Sequence, residues 1–170
     1  SELLPDYFVG EQFENKRDIT LSHLLAMRSG IDFDDEKMLT GVYGGDELLE
    51  SDATDFALNF PMAHEPGTAW NYSTLDSQLI SAIFEQAMGE SLEKFAADHL
   101  FKPLGIEEYT WQMDGAGTTI GGGGLYLVPK DMAKLGFLYL HQGGWNGEQI
   151  VPPDWVELSL TPQNTEAYYE

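Results

Sequence analysis

Cysteine is absent from the 170 residues, which excludes disulfides, thiolate metal sites and a cysteine nucleophile. Basic residues are scarce. Lys and Arg number 8 against 29 Asp and Glu, a formal net charge of −21 at pH 7. A surface this negative repels phosphate backbones, so no nucleic acid is expected as a partner. No apolar run reaches the length of about 18 residues that a membrane span needs, and no charged-then-apolar leader opens the chain. Neither a membrane span nor a signal peptide is therefore expected. The acidity itself has two readings, a solubilising surface or a field that steers a cationic substrate. Apolar residues are plentiful: 42% are hydrophobic and 12% aromatic, too many for a disordered acidic tail and enough for one domain with a core.

The metal-ligating residues form no pattern. The four histidines lie far apart and make no His-x-x-x-His pair. Asp32-Phe33-Asp34-Asp35-Glu36 has the look of a calcium loop, but Lys37 stands where its sharp-turn glycine belongs and Tyr43 where its last glutamate belongs. A solvated acidic loop is the expectation there, with no metal and no organic cofactor. Gly121 to Gly124 lacks the Lys-Ser/Thr of a nucleotide loop. The run either lets the backbone turn where side chains cannot fit or lets it approach a ligand closely.

Helical spacing and capping residues set out the rest. Residues 1–17 are polar and unpatterned and read as a loop or linker, residues 18–160 as one largely helical domain, and residues 161–170 as a tail. Thr20 can cap a helix reaching Ser29, with Gly30 as its stop. Asp32 to Gly45 reads as loop. Ser51 can cap a helix to about Asn59, closed by Pro61. After the turn Glu65-Pro66-Gly67-Thr68, Ala69 to Tyr72 should be extended. Ser73 or Thr74 then caps the strongest helix, with Leu75, Leu79, Ile80, Ile83, Phe84 and Ala87 on one face and Gly89 at its end. Ser91 caps a helix to about His99, and Thr110 to Met113 suits a short strand. Pro129 opens a helix to about His141 whose run Phe137-Leu138-Tyr139-Leu140 should be buried on nearly all sides. Trp145-Asn146-Gly147-Glu148 is a hairpin turn, and Pro152 or Pro153 starts a last helix around Trp155. The fold class expected is mainly α with a few short strands.

Four ordered stretches carry a resemblance. Asp18-Ile19-Thr20-Leu21-Ser22-His23-Leu24-Leu25-Ala26-Met27-Arg28-Ser29-Gly30 comes first, and Pro66-Gly67-Thr68-Ala69-Trp70-Asn71-Tyr72-Ser73-Thr74 second. Phe101-Lys102-Pro103-Leu104-Gly105-Ile106 follows, and then Gly122-Gly123-Gly124-Leu125 through Gly136. Together they resemble the middle segment of the serine beta-lactamase and penicillin-binding-protein-like hydrolase superfamily, in its class C, esterase and 6-aminohexanoate-dimer hydrolase branch. The resemblance implies the helical region of an α+β fold, lacking most of the main sheet. It implies acyl transfer on a small ester or amide by a serine in Ser-x-x-Lys, assisted by a tyrosine in Tyr-x-Asn. No cofactor is implied, and a bacterial periplasmic or secreted location is.

Carried over by position, the catalytic tyrosine is Tyr72. Thr74 stands at the position of the motif's asparagine, a departure that fits the esterase-like branch better than a true beta-lactamase. Thr74, Trp70, Trp111, Gly122, Gly123 and Gly124 are the candidate substrate-binding residues. Trp70, Trp111 and Tyr126 could equally be core aromatics, and Tyr72 taken alone could be a core residue with its hydroxyl at the surface. The family's nucleophile segment and its Lys/His-x-Gly strand are expected to fall outside these residues. Ser91-Leu92-Glu93-Lys94 and His141-Gln142-Gly143 imitate them, but at a helix start and a helix end. A non-catalytic acidic ligand-binding or interaction module derived from the same fold is the alternative. An apolar face left uncovered by the main sheet would favour a homo-oligomer.

Overall fold

The computed structural model describes Leu3, Leu4, Tyr7 and residues 11–41 and 50–163. Within the stretch read as a loop or linker, Glu11–Lys16 forms a 3-10 helix, and Leu4 and Phe13 are buried in the core. Thr20 starts helix α1 (Leu21–Leu25) through a reciprocal cap: its hydroxyl accepts the His23 N–H (3.2 Å) and His23 Nδ1 accepts the Thr20 N–H (3.3 Å). This helix ends before Ser29 because Met27 turns to φ 54° and Gly30 to φ 83°. The acidic stretch after it is not all loop. Asp34 accepts the N–H groups of Glu36 (3.0 Å) and Lys37 (3.3 Å) and so starts helix α2 (Asp35–Leu39). A capping aspartate followed by acids is a helix start as much as a loop, because the helix dipole favours negative charge in its first turn. Residues 42–45 of the same expectation lie outside the described residues.

Asp52, not Ser51, caps helix α3 (Ala53–Asn59), accepting from the N–H groups of Thr54 (2.9 Å) and Asp55 (3.0 Å). Ser73 caps helix α4 (Thr74–Met88), which Gly89 closes at φ 70°. Of the expected apolar face of α4, Leu75, Leu79, Ile80 and Ile83 pack with α1 and α3, whereas Phe84 meets Phe95 and Ala87 is exposed; Leu24, Ile31, Phe33, Leu58, Leu75 and Leu79 form the first core. Ser91 caps helix α5 (Leu92–Ala96), which widens into a π turn over Ala97–Phe101.

Strand β1 (Tyr109–Trp111) pairs antiparallel with β2 (Leu125–Leu127), placing Trp111 opposite Leu125. Helix α6 (Pro129–Leu140) follows, with proline in its first turn as expected. Strands β3 (Gly144–Trp145) and β4 (Glu148–Gln149) form a hairpin whose turn residues Asn146 (φ 50°) and Gly147 (φ 88°) are both left-handed, as a type I′ turn requires. Helix α7 (Pro153–Leu160) comes last and buries Val156. Phe101, Leu104, Ile106 and Leu138 make the second core, with Trp111 and Trp145 packed against it. Among the described residues the architecture is mainly helical with two small two-stranded sheets.

One expectation about burial changes. In α6 only Leu138 of the four-residue run is buried (1% exposed), whereas Phe137 is 48% and Leu140 78% exposed, because the second core covers one side of that helix. The tail beyond residue 163 lies outside the described residues. Among the described residues no helix is long and apolar enough to cross a membrane. An apolar groove of about 500 Å³ runs between α1 and α7, lined by Leu21, Leu25, Trp155 and Leu158.

The glycine run packs on α4. A Cβ on Gly121 would sit 2.1 Å from the Ser77 carbonyl oxygen, and one on Gly122 would sit 2.2 Å from Thr74 Cγ2, whereas one on Gly123 meets nothing within 4 Å. Turning where side chains cannot fit is therefore the role of the first two. Gly121→Ala should lose about 1–3 kcal/mol of stability in urea unfolding, and Gly123→Ala should stay within about 0.5 kcal/mol of the parent. Equal losses for both would contradict this packing account.

Candidate functional site

Tyr72 owes its position to backbone pairing upstream of α4. The segment before it forms no strand, yet it is tied to the turn after α1. Gly67 N–H donates to the Arg28 carbonyl (2.8 Å) and Asn71 N–H to the Met27 carbonyl (3.0 Å). The Asn71 side-chain amide donates to the Phe33 carbonyl (2.7 Å). The turn is itself anchored to α4. Ser29 donates its hydroxyl to Asp76 Oδ1 (2.6 Å) and its N–H to Asp76 Oδ2 (3.4 Å), and the Asp76 N–H donates to the capping hydroxyl of Ser73 (3.3 Å).

This arrangement leaves Tyr72 51% exposed, at a cleft of about 440 Å³. Trp70, Asn71 and His64 share its lining, opposite the acidic side chains Asp32, Asp34, Asp35 and Glu36. Lys37 also lines the cleft, and its ammonium lies 3.2 Å from Asp34. The Asp34 carboxyl is held below the usual carboxylate range, first by the Lys37 backbone N–H. The cleft thus joins a phenol, an indole and a strongly negative wall.

Thr74 is engaged from that wall. Its hydroxyl donates to one oxygen of Asp35 and its N–H to the other (3.1 Å). With its proton committed to Asp35, the Thr74 oxygen has only lone pairs left to offer. Gly122 packs directly on Thr74. Tyr72 and Trp70 therefore line one cleft, with Thr74 next in the chain at the start of α4 and Gly122 of the glycine loop packed on it. Gly123 stands open, and Gly124, at φ 71°, abuts Gln112. Trp111 lies apart: its indole N–H donates to the Ile120 carbonyl (2.8 Å), and its ring packs near Phe101 in the second core. Tyr126 is 61% exposed on β2.

The two imitations have plain structural duties. Ser91 accepts the Lys94 N–H (3.1 Å) as a helix cap, and the Lys94 ammonium is held by Glu90 (2.8 Å) and Asp98 (3.1 Å). Gly143, at φ 81°, closes the end of α6, where a Cβ would come within 1.9 Å of the Val151 carbonyl oxygen. Among the described residues, no group of three or more His, Asp or Glu side chains could hold a metal ion. Two contacts important to this site had no signal in the sequence. Asp35 reaches Thr74 across 39 positions and Ser29 reaches Asp76 across 47, and only the folded chain makes these contacts.

A family model described as Beta-lactamase matches residues 1–170. Among curated proteins, the chain is 27% identical to a candidate penicillin-binding protein, PbpX, of Bacillus subtilis (strain 168), covering 72% of this chain and 36% of that protein. Among solved structures, it is similar to a candidate 6-aminohexanoate-dimer hydrolase from Bacillus anthracis, with a TM-score of 0.72 and 20% identity, covering 91% of this chain and 47% of that one. It is also similar to the octameric penicillin-binding protein homologue from Pyrococcus abyssi, with a TM-score of 0.66 and 21% identity, covering 91% of this chain and 41% of that one. The chain thus spans less than half of each of these three.

Burial pushes the Asp76 carboxyl up to about 6 from an ordinary 3.8, against the opposing pull of its bonds to Ser29 and Ser73. The folded state therefore holds this proton at a pH where the unfolded chain has released it. The resulting stabilisation is complete below the unfolded value and is lost as pH rises through the folded one. Relative to Asp76→Asn, the parent protein should lose about 2–3 kcal/mol between pH 4 and pH 7. Thermal unfolding of both proteins across that range measures the difference, and parallel profiles would contradict the assignment.

Proposed function

The chain belongs to the beta-lactamase family, and we propose that it is the helical part of a serine hydrolase acting on small esters or amides through an acyl-enzyme. In this reading Tyr72 moves the proton of a serine hydroxyl that lies outside these residues. The observation that carries it is the placement of Tyr72: half exposed, at the mouth of a 440 Å³ cleft, directly before the cap of α4.

The chemistry follows from ordinary acidities. A serine hydroxyl is a weak nucleophile until an adjacent base takes its proton. A phenolate at Tyr72 can take it as the serine oxygen bonds to the acyl carbon. The same proton then passes to the leaving group as its bond to that carbon breaks. Water repeats the sequence on the acyl-enzyme. A tyrosine acts as a base at neutral pH only beside a cation. Lys37, the cation lining the cleft, already lies against Asp34 at 3.2 Å. The lysine of Ser-x-x-Lys is the cation the reading requires, and it accompanies the serine. Trp70, Thr74 and Gly122 are the neighbours best placed to meet the substrate. A non-catalytic acidic ligand-binding module is the second reading, favoured by the four carboxylates around the cleft.

A fluorophosphonate probe should leave the 170-residue chain without stoichiometric label, and stoichiometric labelling would overturn the division of the site. In the whole protein, Tyr72→Phe should lower kcat by about 10²–10⁴-fold with KM nearly unchanged, the size expected for loss of a proton-transfer group. An unaltered kcat would favour the binding module.

A second copy of the chain is the proposed occupant of the α1–α7 groove, in keeping with the octameric state of the Pyrococcus abyssi homologue. With a net charge of −21 on each copy, association should strengthen as salt screens the repulsion. Light scattering at low and high salt should show mass above 19.0 kDa appearing with salt, and Leu25→Glu should suppress it. A 19.0 kDa particle under both conditions would exclude the dimer.

A further inference from the structure

Lys16 is the one of the 8 basic residues whose side chain is almost wholly enclosed, at 4% exposure. It ends the 3-10 helix Glu11–Lys16, and its carbonyl is fixed by the Ile19 N–H (3.1 Å). Its side chain lines a cavity of about 40 Å³ whose walls include Leu24 of α1, Leu58 of α3, and Leu79 and Ile83 of α4. Leu3, itself 45% exposed, borders the opening. None of these residues lines the Tyr72 cleft. Among the described residues, no carboxylate pairs with the Lys16 ammonium and no acceptor takes a hydrogen bond from it. That is notable in a chain with 29 acidic residues.

An ammonium at the edge of an apolar cavity, with little water around it and no hydrogen-bond partner, is stabilised when it gives up its proton or meets an anion. Burial does lower the hold of Lys16 on its proton. The walls narrow the choice of anion. Phosphate and sulfate need several converging donors, and the walls named here offer aliphatic carbon. A carboxylate with a hydrocarbon tail satisfies both parts, its head on the ammonium and its tail on the leucines and isoleucine. Size sets the tail. At about 10–15 Å³ for each water-sized position, the cavity holds a carboxylate and two or three carbons.

We propose that the Lys16 cavity is a binding site for short-chain monocarboxylates, separate from the Tyr72 cleft. The net charge of −21 repels anions at long range, so binding should be measured near 0.15 M salt, where the screening length is about 8 Å. Propionate titrated into the full 170-residue chain at pH 7 should shift the methyl resonances of Leu24, Leu79 and Ile83 in a saturable way, with Kd of order millimolar. 1-Propanol, of similar size and uncharged, should bind at least about tenfold more weakly. Lys16→Met should abolish the propionate response while raising Tm, because an apolar side chain then fills an apolar site. The proposal is overturned if no saturable shift appears up to about 100 mM propionate. It is equally overturned if propanol matches propionate, or if folded Lys16→Met binds propionate as the parent does. Should Lys16→Met not fold, the contrast between propionate and propanol on the parent protein decides alone.

Discussion

The buried pair of Ser29 and Asp76 fixes the geometry on which the site depends. Asp76 is fully enclosed in the first turn of α4, and it takes the Ser29 hydroxyl at 2.6 Å. That contact holds the left-handed turn at Met27 to Gly30 against the helix, and the turn in turn carries the segment leading to Tyr72. A carboxylate in such a place is favoured by the helix N-terminus and opposed by loss of water. The opposition is larger, since the carboxyl is raised to about 6 despite the lowering influence of Ser29 and Ser73. The contact therefore works as a positional constraint and contributes less as a source of stability at neutral pH. It links residues 47 positions apart in sequence, and through them the cap of α4 and the phenol beside it.

Electrostatics divides the site in two. Around Tyr72 the lining is dominated by carboxylates, and the net charge of −21 adds to the same field. A tyrosine that accepts a proton needs a cation beside it. The ammonium of Lys37 is held against Asp34, in the wall of the cleft. In the proposed reading that cation comes with the serine, since Lys37 is already engaged by Asp34.

Much of the fold was legible because its helices begin and end on residues with one strong local preference. Thr20, Ser73 and Ser91 cap where their hydroxyls suggest, Gly89 closes α4 in the left-handed region, Pro129 opens α6, and Asn146-Gly147 turns the last hairpin. Legibility failed where local signals competed. Asp34 and Asp35 read as solvated loop residues, yet the same acids start α2. It failed again where burial was inferred from composition: the run Phe137 to Leu140 is apolar throughout, but a helix touching its core on one side buries only Leu138. Of the site, Tyr72 and Trp70 were legible as neighbours in one stretch of chain. The hold of Asp35 on Thr74, the Ser29–Asp76 pair and the enclosure of Lys16 were not, since each depends on contacts between distant segments.

Helix α4 unites these features because it is buried on a polar side as well as an apolar one. Gln78 and Ser81 are both fully enclosed. The loop running to the glycines bonds on one side to residues 112–114, and its remaining backbone groups need partners wherever water is excluded. α4 provides them: Gln78 Oε1 accepts the Gly121 N–H (2.9 Å), and the Ser81 hydroxyl donates to the Thr119 carbonyl (2.7 Å). Glu85 accepts both the N–H (3.0 Å) and the hydroxyl (2.6 Å) of Thr119, and the N–H of Leu92 (2.9 Å) as well. The missing side chains of Gly121 and Gly122 allow the close approach that these bonds need. Apolar residues on this side of α4 would leave those backbone groups unpaired, and larger residues in the loop would push it off the helix. The glycine run and the polar face of α4 are two halves of one packing solution, and it seats the loop against Thr74, two residues from the phenol.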